Sequence, residues 1–323
     1  MIPLRDAIRS KSFPAANTLI IILNVIVYLW ELTQGPRLTD TFSLFGIVPL
    51  RYSDPEISAH FTTFQQFLPF LTSMFLHGGF LHLLGNMWFL HIFGDNIEDR
   101  IGHIRYLIFY IFCGVAAGLI HLFTNWNSKI PTIGASGAIS GVMGAYLLLH
   151  PTSRILTLLP IFFFFQFVEI PAYIFLGFWF LLQLFSAGFA PSHIGGIAFW
   201  AHIGGFVSGL VFIKIFDWIP RTGLSNGLRR YTERQSTPRL QTISPRFLPD
   251  DLDVHGVIRI TPKEAYSGTR KMISIPQGLR KRTLMVTIPP GVRDGTRLRL
   301  KGLGQVDHLS HRGDLFLEVQ VGG

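Results

Sequence analysis

The sequence predicts an all-α polytopic membrane bundle of six transmembrane helices, followed by a small soluble, mainly-β domain. Of 323 residues, 49% are hydrophobic and only 15% charged, with 30 Phe, a balance too apolar for a soluble chain of this length. Charge is also unevenly divided. Residues 1–218 hold ten Lys and Arg against ten Asp and Glu, so the whole net charge of +9 lies in residues 219–323. Finally, apolar runs long enough to approach the thickness of a hydrocarbon core recur in the front part, whereas the tail alternates apolar with polar residues. The expected organisation is a membrane domain over 1–218, a basic linker over 219–247 and a β-rich domain over 248–323. The single cysteine, Cys113, excludes an intramolecular disulfide and a cysteine-based zinc cluster.

In chain order, residues 1–14 form a short basic lead and residues 15–32 the first span. No small-residue cleavage site follows Trp30, Glu31 and Leu32, so this span is read as retained rather than as a signal peptide. Residues 34–72 contain Pro36, Pro49, Pro55 and Pro69 and are too broken to span, with aromatic pieces such as 61–70 suited to an interface. The second span, 74–93, carries His77, His82, Asn86 and His91. A charged loop over 95–105, a third span over 106–123, a second loop and a short fourth span over 136–150 follow. Residues 155–170 hold Pro160, Gln166 and Glu169 and are read as a loop or partly embedded piece. The fifth and sixth spans are 171–185 and 198–215, separated by a Gly/Pro/Ser loop over 186–197. Six spans place both ends on one side, together with Arg5, Arg9, Lys11, Arg100, Arg105, Arg154 and the basic tail. The positive-inside rule makes that side cytoplasmic, and a bacterial inner membrane is the expected location.

The chemistry concentrates around Gly134, Ala135 and Ser136. A serine opening an apolar helix, just after a loop with Pro131 and Gly134, sits among free backbone N–H groups at the positive end of the helix dipole. It is a candidate nucleophile with an anion site beside it. Gly137, Gly141 and Gly144 clear one face of that helix for close approach by another. The partner candidate carries His202, Gly205 and Gly209 at i, i+3 and i+7, hence on one face. On the span order, Ser136 and His202 lie at matching depth, and an imidazole there can take the hydroxyl proton during attack. His82 and Asn86, four apart, share a helix face. Polar side chains inside a bilayer are costly unless they face a protein interior, and these two can donate to a developing oxyanion alongside the Ser136 N–H. The rival for Ser136 is a small residue in a tight helix crossing, and for His202 a buried hydrogen-bonded histidine. No HExxH occurs, and His77 and His82, five apart, fall about 140° apart on a continuous helix. No metal site and no cofactor are therefore expected. A transporter is disfavoured because no internal repeat is visible.

GASG with its serine, AHIGGFVSG with its histidine, and HLLGN within FLHGGFLHLLGNMWFLHIFGDNIEDRIG occur in order on three helices. By these motifs residues 10–218 resemble the rhomboid family of intramembrane serine proteases. The resemblance implies cleavage of transmembrane protein substrates within the lipid bilayer by a Ser136/His202 dyad, with His82 and Asn86 in oxyanion roles and without metal or nucleotide. It also implies that water reaches the dyad through an outward-facing cavity. The alternative is a non-catalytic rhomboid-like protein that binds transmembrane clients, against which both serine and histidine are retained. Some family members place a tyrosine four residues after the nucleophile, stacked on the histidine. Here Ser140 stands there, and no acidic third member can be assigned, since Asp95, Glu98, Asp99 and Glu169 are placed at the cytoplasmic side. The fifth span and the 186–197 loop, with Gly188, Gly195 and Gly196, are the expected gate and cap for lateral substrate entry.

The segment 221–245 is rich in arginine and suited to anionic lipid; no nucleic-acid partner is expected. Beyond it, 257–260, 270–275, 283–288, 297–300 and 314–321 alternate between Gly, Pro and Asp turns, which predicts a small antiparallel β-domain. DVHGVIRITPKEAYSGTRKMISIP, VTIPPGVRDGTRLRLKGLG and HRGDLFLEVQV resemble one copy of the C-terminal peptide-binding domain of DnaJ-type chaperones, over about residues 250–322. This implies binding of unfolded or extended peptide segments. The HPD signature of a J-domain is absent, because His150 and Pro151 are followed by Thr152, and no CxxCxGxG repeat occurs.

Overall fold

The computed structural model describes residues 1–8, 10–161, 164–189, 198–218, 232, 240–243, 246–247, 252–277, 280–305 and 312–322. The chain divides into two compact units, Met1–Glu233 and Arg234–Gly323.

Among the described residues, the first unit contains six helices of fourteen residues or more: α1 (Ala15–Glu31), α2 (Phe80–Ile101), α3 (His103–Thr124), α4 (Ser136–Leu149), α5 (Ala172–Phe189) and α6 (Phe199–Trp218). Among the described residues, α3, α5 and α6 are long and apolar enough to cross a membrane alone. Two bent pairs, α1 with Gly35–Phe45 and Thr63–Phe75 with α2, bring the number to five. The protein is thus a multi-pass membrane protein with three to five candidate spans where six were expected. The shortfall has a physical cause in α4: fourteen residues rise about 21 Å, less than a hydrocarbon core of roughly 30 Å. Its residues from Gly137 to Tyr146 are all buried, so the helix is enclosed by protein and has no lipid thickness to match.

The region expected as a charged loop, 95–105, is helical. α2 continues to Ile101 and α3 starts at His103, with only Gly102 between them, at φ +90°. Its acidic residues turn inward. The buried Glu98 carboxylate accepts the N–H groups of Ala16 and Asn17 at 2.9 and 2.7 Å and pairs with His103 Nδ1. A carboxylate thereby caps the start of α1, where free N–H groups need acceptors. Asp99 accepts from Ser12 N and Oγ. Asn17 donates to the Leu90 carbonyl and accepts from Tyr106 OH. It lies over Gly94, where a Cβ would fall 2.2 Å from Asn17 Oδ1.

The unit is also not all-α. The lead and the 155–170 piece form an antiparallel sheet, β1 (Ile2–Asp6), β2 (Arg154–Ile161) and β3 (Phe164–Pro171), in the order β1-β2-β3. The β2–β3 segments are rich in Ile, Leu and Phe, which suit a pleated surface, and the pairing satisfies backbone groups that a helix broken at Pro160 would leave open. Asp6 ties the sheet to the helices by accepting from Tyr146 OH and Asn96 Nδ2, each at 2.7 Å. In the segment 35–75, the buried Arg51 donates to the Leu44 carbonyl and lies over the Phe61 ring. A single cation thus gathers several short helical turns.

α4 and α6 cross at near-contact distance. A Cβ on Gly205 would stand 2.0 Å from the Gly137 carbonyl oxygen, one on Gly209 1.9 Å from that of Gly141, and one on Gly144 2.2 Å from that of Phe206. A Cβ on Gly141 would also strike Cys113 of α3 at 2.5 Å. The glycines therefore seat α4 between two helices.

In the second unit, β4 (Leu240–Thr242), β7 (Thr269–Gln277) and β8 (Arg280–Ile288) make one sheet in the order β4-β7-β8. β5 (Arg246–Phe247), β6 (Val254–Ile260), β10 (Leu315–Val321) and β9 (Arg297–Leu300) make another in the order β5-β6-β10-β9. Its core contains Val254, Ile258, Ile260, Ile273, Ile275, Val286, Ile288, Leu315, Leu317 and Val319. The sheets are not purely antiparallel: β6 pairs with β10, and β4 with β7, in parallel. Strands far apart in sequence meet side by side, which local turn signals do not encode. β4 and β5 fall within the stretch expected as linker, 219–247. Most of the rest of that stretch is outside the described residues. Thr232 is an exception, its Oγ1 2.8 Å from His103 Nε2.

Candidate active site

Gly134 adopts φ +123°, a region favouring glycine, and its N–H donates to the Ser73 carbonyl at 2.8 Å. Two further backbone bonds between Ile47 and Thr132 brace the same loop. Ser136 leaves this turn as the first residue of α4, half-buried, and α6 brings His202 to it: Ser136 Oγ and His202 Nε2 are 2.8 Å apart. On the far side of the ring, Gln183 Oε1 of α5 lies 2.8 Å from His202 Nδ1. The Trp179 ring is tilted 35° against the imidazole, with centroids 5.9 Å apart. Ser140, four residues after Ser136, donates its hydroxyl to the Ser136 carbonyl at 2.7 Å.

His82 and Asn86 of α2 stand over Gly134. A Cβ placed there would fall 2.8 and 2.9 Å from His82 Cε1 and Nε2 and 3.7 Å from Asn86 Nδ2. Asn86 is 8% exposed, and its Nδ2 is buried without a hydrogen-bond partner among the described residues. A cavity of about 1180 Å³ takes in Ser136, His202, His82 and Asn86, with the polar groups of His121, Asn125 and Thr132 on its wall.

His77 departs from the expected geometry. α2 begins at Phe80, so His77 belongs to the preceding bend, and its ring meets that of His82 edge-on at 5.1 Å. The helical-wheel argument that separated the two rings therefore fails. Its N–H donates to the Glu31 carboxylate at 2.9 Å. Among the described residues, no group of three or more His, Cys, Asp or Glu is arranged to hold a metal ion. Of the expected gate and cap, α5 is described to Phe189; Gly195 and Gly196 lie outside the described residues.

The sequence reading overlooked Gln183 and Trp179. The signal was available: Ala172, Phe175, Leu176, Trp179, Phe180 and Gln183 recur at the spacing of one helical stripe, and Gln183 is the lone amide in that apolar run.

A sequence profile described as "Rhomboid domain" matches residues 65–218. Residues 65–218 thus resemble a rhomboid domain. Residues 254–322 match the "DnaJ C terminal domain", so both resemblances hold at the level of domains. Over 77 residues, the chain is 36% identical to RHOMBOID-like protein 5 of Arabidopsis thaliana, covering 24% of this chain and 25% of that protein. Over 154 residues, it is 30% identical to RHOMBOID-like protein 6, mitochondrial, of the same organism, covering 47% and 45%. Over 218 residues, it is 29% identical to the Rhomboid protease GluP of Bacillus subtilis, covering 67% and 38%. The chain thus spans less than half the length of each of these relatives.

Proposed function

We propose that the rhomboid domain is an intramembrane serine endopeptidase that uses Ser136 and His202 on transmembrane protein substrates. The observation that carries this reading is the 2.8 Å approach of Ser136 Oγ to His202 Nε2 inside a mainly apolar cavity that also holds His82 and Asn86. As Ser136 Oγ bonds to the scissile carbonyl carbon, its proton passes to His202 Nε2. Negative charge builds on the carbonyl oxygen, beside the Ser136 N–H, the unpartnered Asn86 Nδ2 and His82. The C–N bond then breaks as the imidazolium returns the proton to the leaving amine. A water molecule, deprotonated by His202, releases the acyl group from Ser136. One of the relatives is named a protease, which supports this chemistry, and the apolar helices support a setting in a bilayer. On the distribution of Lys and Arg, both termini face the cytoplasm.

The second unit is proposed to hold extended peptide segments. Met272 and Met285, opposite each other on β7 and β8, are exposed and are the adaptable apolar type that suits a varied ligand.

The test is incubation of the full chain in detergent with a fluorescent fluorophosphonate and with single-span substrates. Covalent labelling of Ser136 and cleavage are expected, both absent in Ser136→Ala and in His202→Ala. An unlabelled wild-type protein that nonetheless co-purifies with transmembrane clients would favour a non-catalytic binding role.

A further inference from the structure

We infer that Gln183 is a positioning residue for His202, and that it makes the readiness of Ser136 depend on α5 lying against α6. The inference rests on the hydrolase reading of the Ser136/His202 pair and adds to it a residue on a third helix.

His202 needs a lone pair at Nε2 to accept the serine proton, so its ring proton must sit on Nδ1. A neutral imidazole can carry that proton on either nitrogen, and the group bonded to the other nitrogen decides which. The side-chain oxygen of Gln183 stands 2.8 Å from Nδ1 and accepts only, which holds the proton there and leaves Nε2 facing Ser136 Oγ. Trp179, one turn earlier on the same stripe of α5, covers the ring, and the side chain of Ser140 is turned away to its own helix. Apart from Ser136 itself, the side-chain contacts on the His202 ring named here, Gln183 and Trp179, both come from α5.

Among the described residues, the middle of α5 packs on its α6 side and is open on the other. Phe180 stacks on Phe206 of α6 with centroids 4.6 Å apart, whereas Phe178, Leu181, Leu182 and Phe185 on the opposite side are exposed. A displacement of α5 from α6 breaks the Nδ1 bond and the ring contact together, so the base loses its orientation when the helix moves out and regains it when the helix returns.

The experiment uses the full chain in detergent, with the fluorophosphonate labelling rate, kcat and KM for a single-span substrate and the thermal midpoint as readouts. Gln183→Met keeps the length but removes the acceptor; labelling and kcat are expected to fall at least about tenfold with KM unchanged. Gln183→Glu keeps an acceptor and is expected to stay within about threefold of wild type. Phe180→Ala, which loosens α5, is expected to slow labelling in the wild type but to add little in the Gln183→Met background. Labelling of Gln183→Met at the wild-type rate overturns the inference, as does an equal loss in the Met and Glu variants with equally lowered midpoints. Additive effects of Phe180→Ala and Gln183→Met overturn the dependence on α5. Absence of Ser136 labelling in the wild type is a different result: it removes the hydrolase reading and this inference with it.

Discussion

Asn86 brings to the cavity a buried amide nitrogen with no hydrogen-bond partner among the described residues, an arrangement that costs stability in the resting protein. A donor kept unpaired beside the turn that presents Ser136 is suited to a charge that appears only during the reaction. Asn86→Ala is therefore expected to lower kcat by about 10²–10³ while leaving the thermal midpoint unchanged or slightly raised. A fall in midpoint with kcat intact would show that the amide serves packing instead. Glu98 is the opposite case, a buried carboxylate with its acceptor capacity used by Ala16, Asn17 and His103. Glu98→Ala leaves two N–H groups and an imidazole without their partner. A loss of about 3–5 kcal/mol is expected, read as a lowered midpoint in detergent.

At the scale of elements, the approach of α4 to α6 rests on carbonyl oxygens facing positions where no Cβ exists. The Cβ of Gly205→Ala would lie 2.0 Å from a backbone oxygen, so no side-chain rotation relieves it and one helix must move. The expected cost is about 1–3 kcal/mol. Since Ser136 and His202 ride on these two helices, labelling of Ser136 is expected to fall even where the protein still folds; unchanged labelling at an unchanged midpoint would mean the crossing is looser than the geometry indicates. The short length of α4 belongs to the same account, because a helix enclosed by α2, α3 and α6 is dimensioned by its neighbours. The α2–α3 corner likewise depends on long-range contacts, with Glu98 and Asp99 reaching back to the start of α1.

For the whole molecule, the separation into an apolar unit, Met1–Glu233, and a basic β-rich unit, Arg234–Gly323, poses a functional question that deletion answers. Removal of residues 234–323 is expected to leave fluorophosphonate labelling of Ser136 within about twofold and to alter the range or rate of substrate cleavage. If substrate range and rate both match those of the full chain, the second unit serves stability or sorting rather than peptide binding.

Three ordered motifs marked the resemblance to rhomboid proteases without coordinates, because close-packed helices need small residues at fixed spacing, a demand that marks the chain locally. The helices α1, α3, α5 and α6 were legible for the same reason, as were β6 to β10 of the second unit, where apolar alternation records which side faces the core, whereas β4 and β5 fell in the stretch expected as linker. What sequence order could not carry was the partner of each polar group. Glu98 and Asp99 looked like loop charges until the start of α1 was seen resting on them. The 155–170 piece lacked helical periodicity, and its pairing with residues 2–6 is a contact across the length of the unit. Gln183 was only an amide in an apolar run, because its meaning depends on α5 packing its stripe against α6 at the level of His202. Spacing along a chain fixes which face a residue occupies; what stands opposite that face is set by packing between distant segments, and the orientation of the candidate base was decided there.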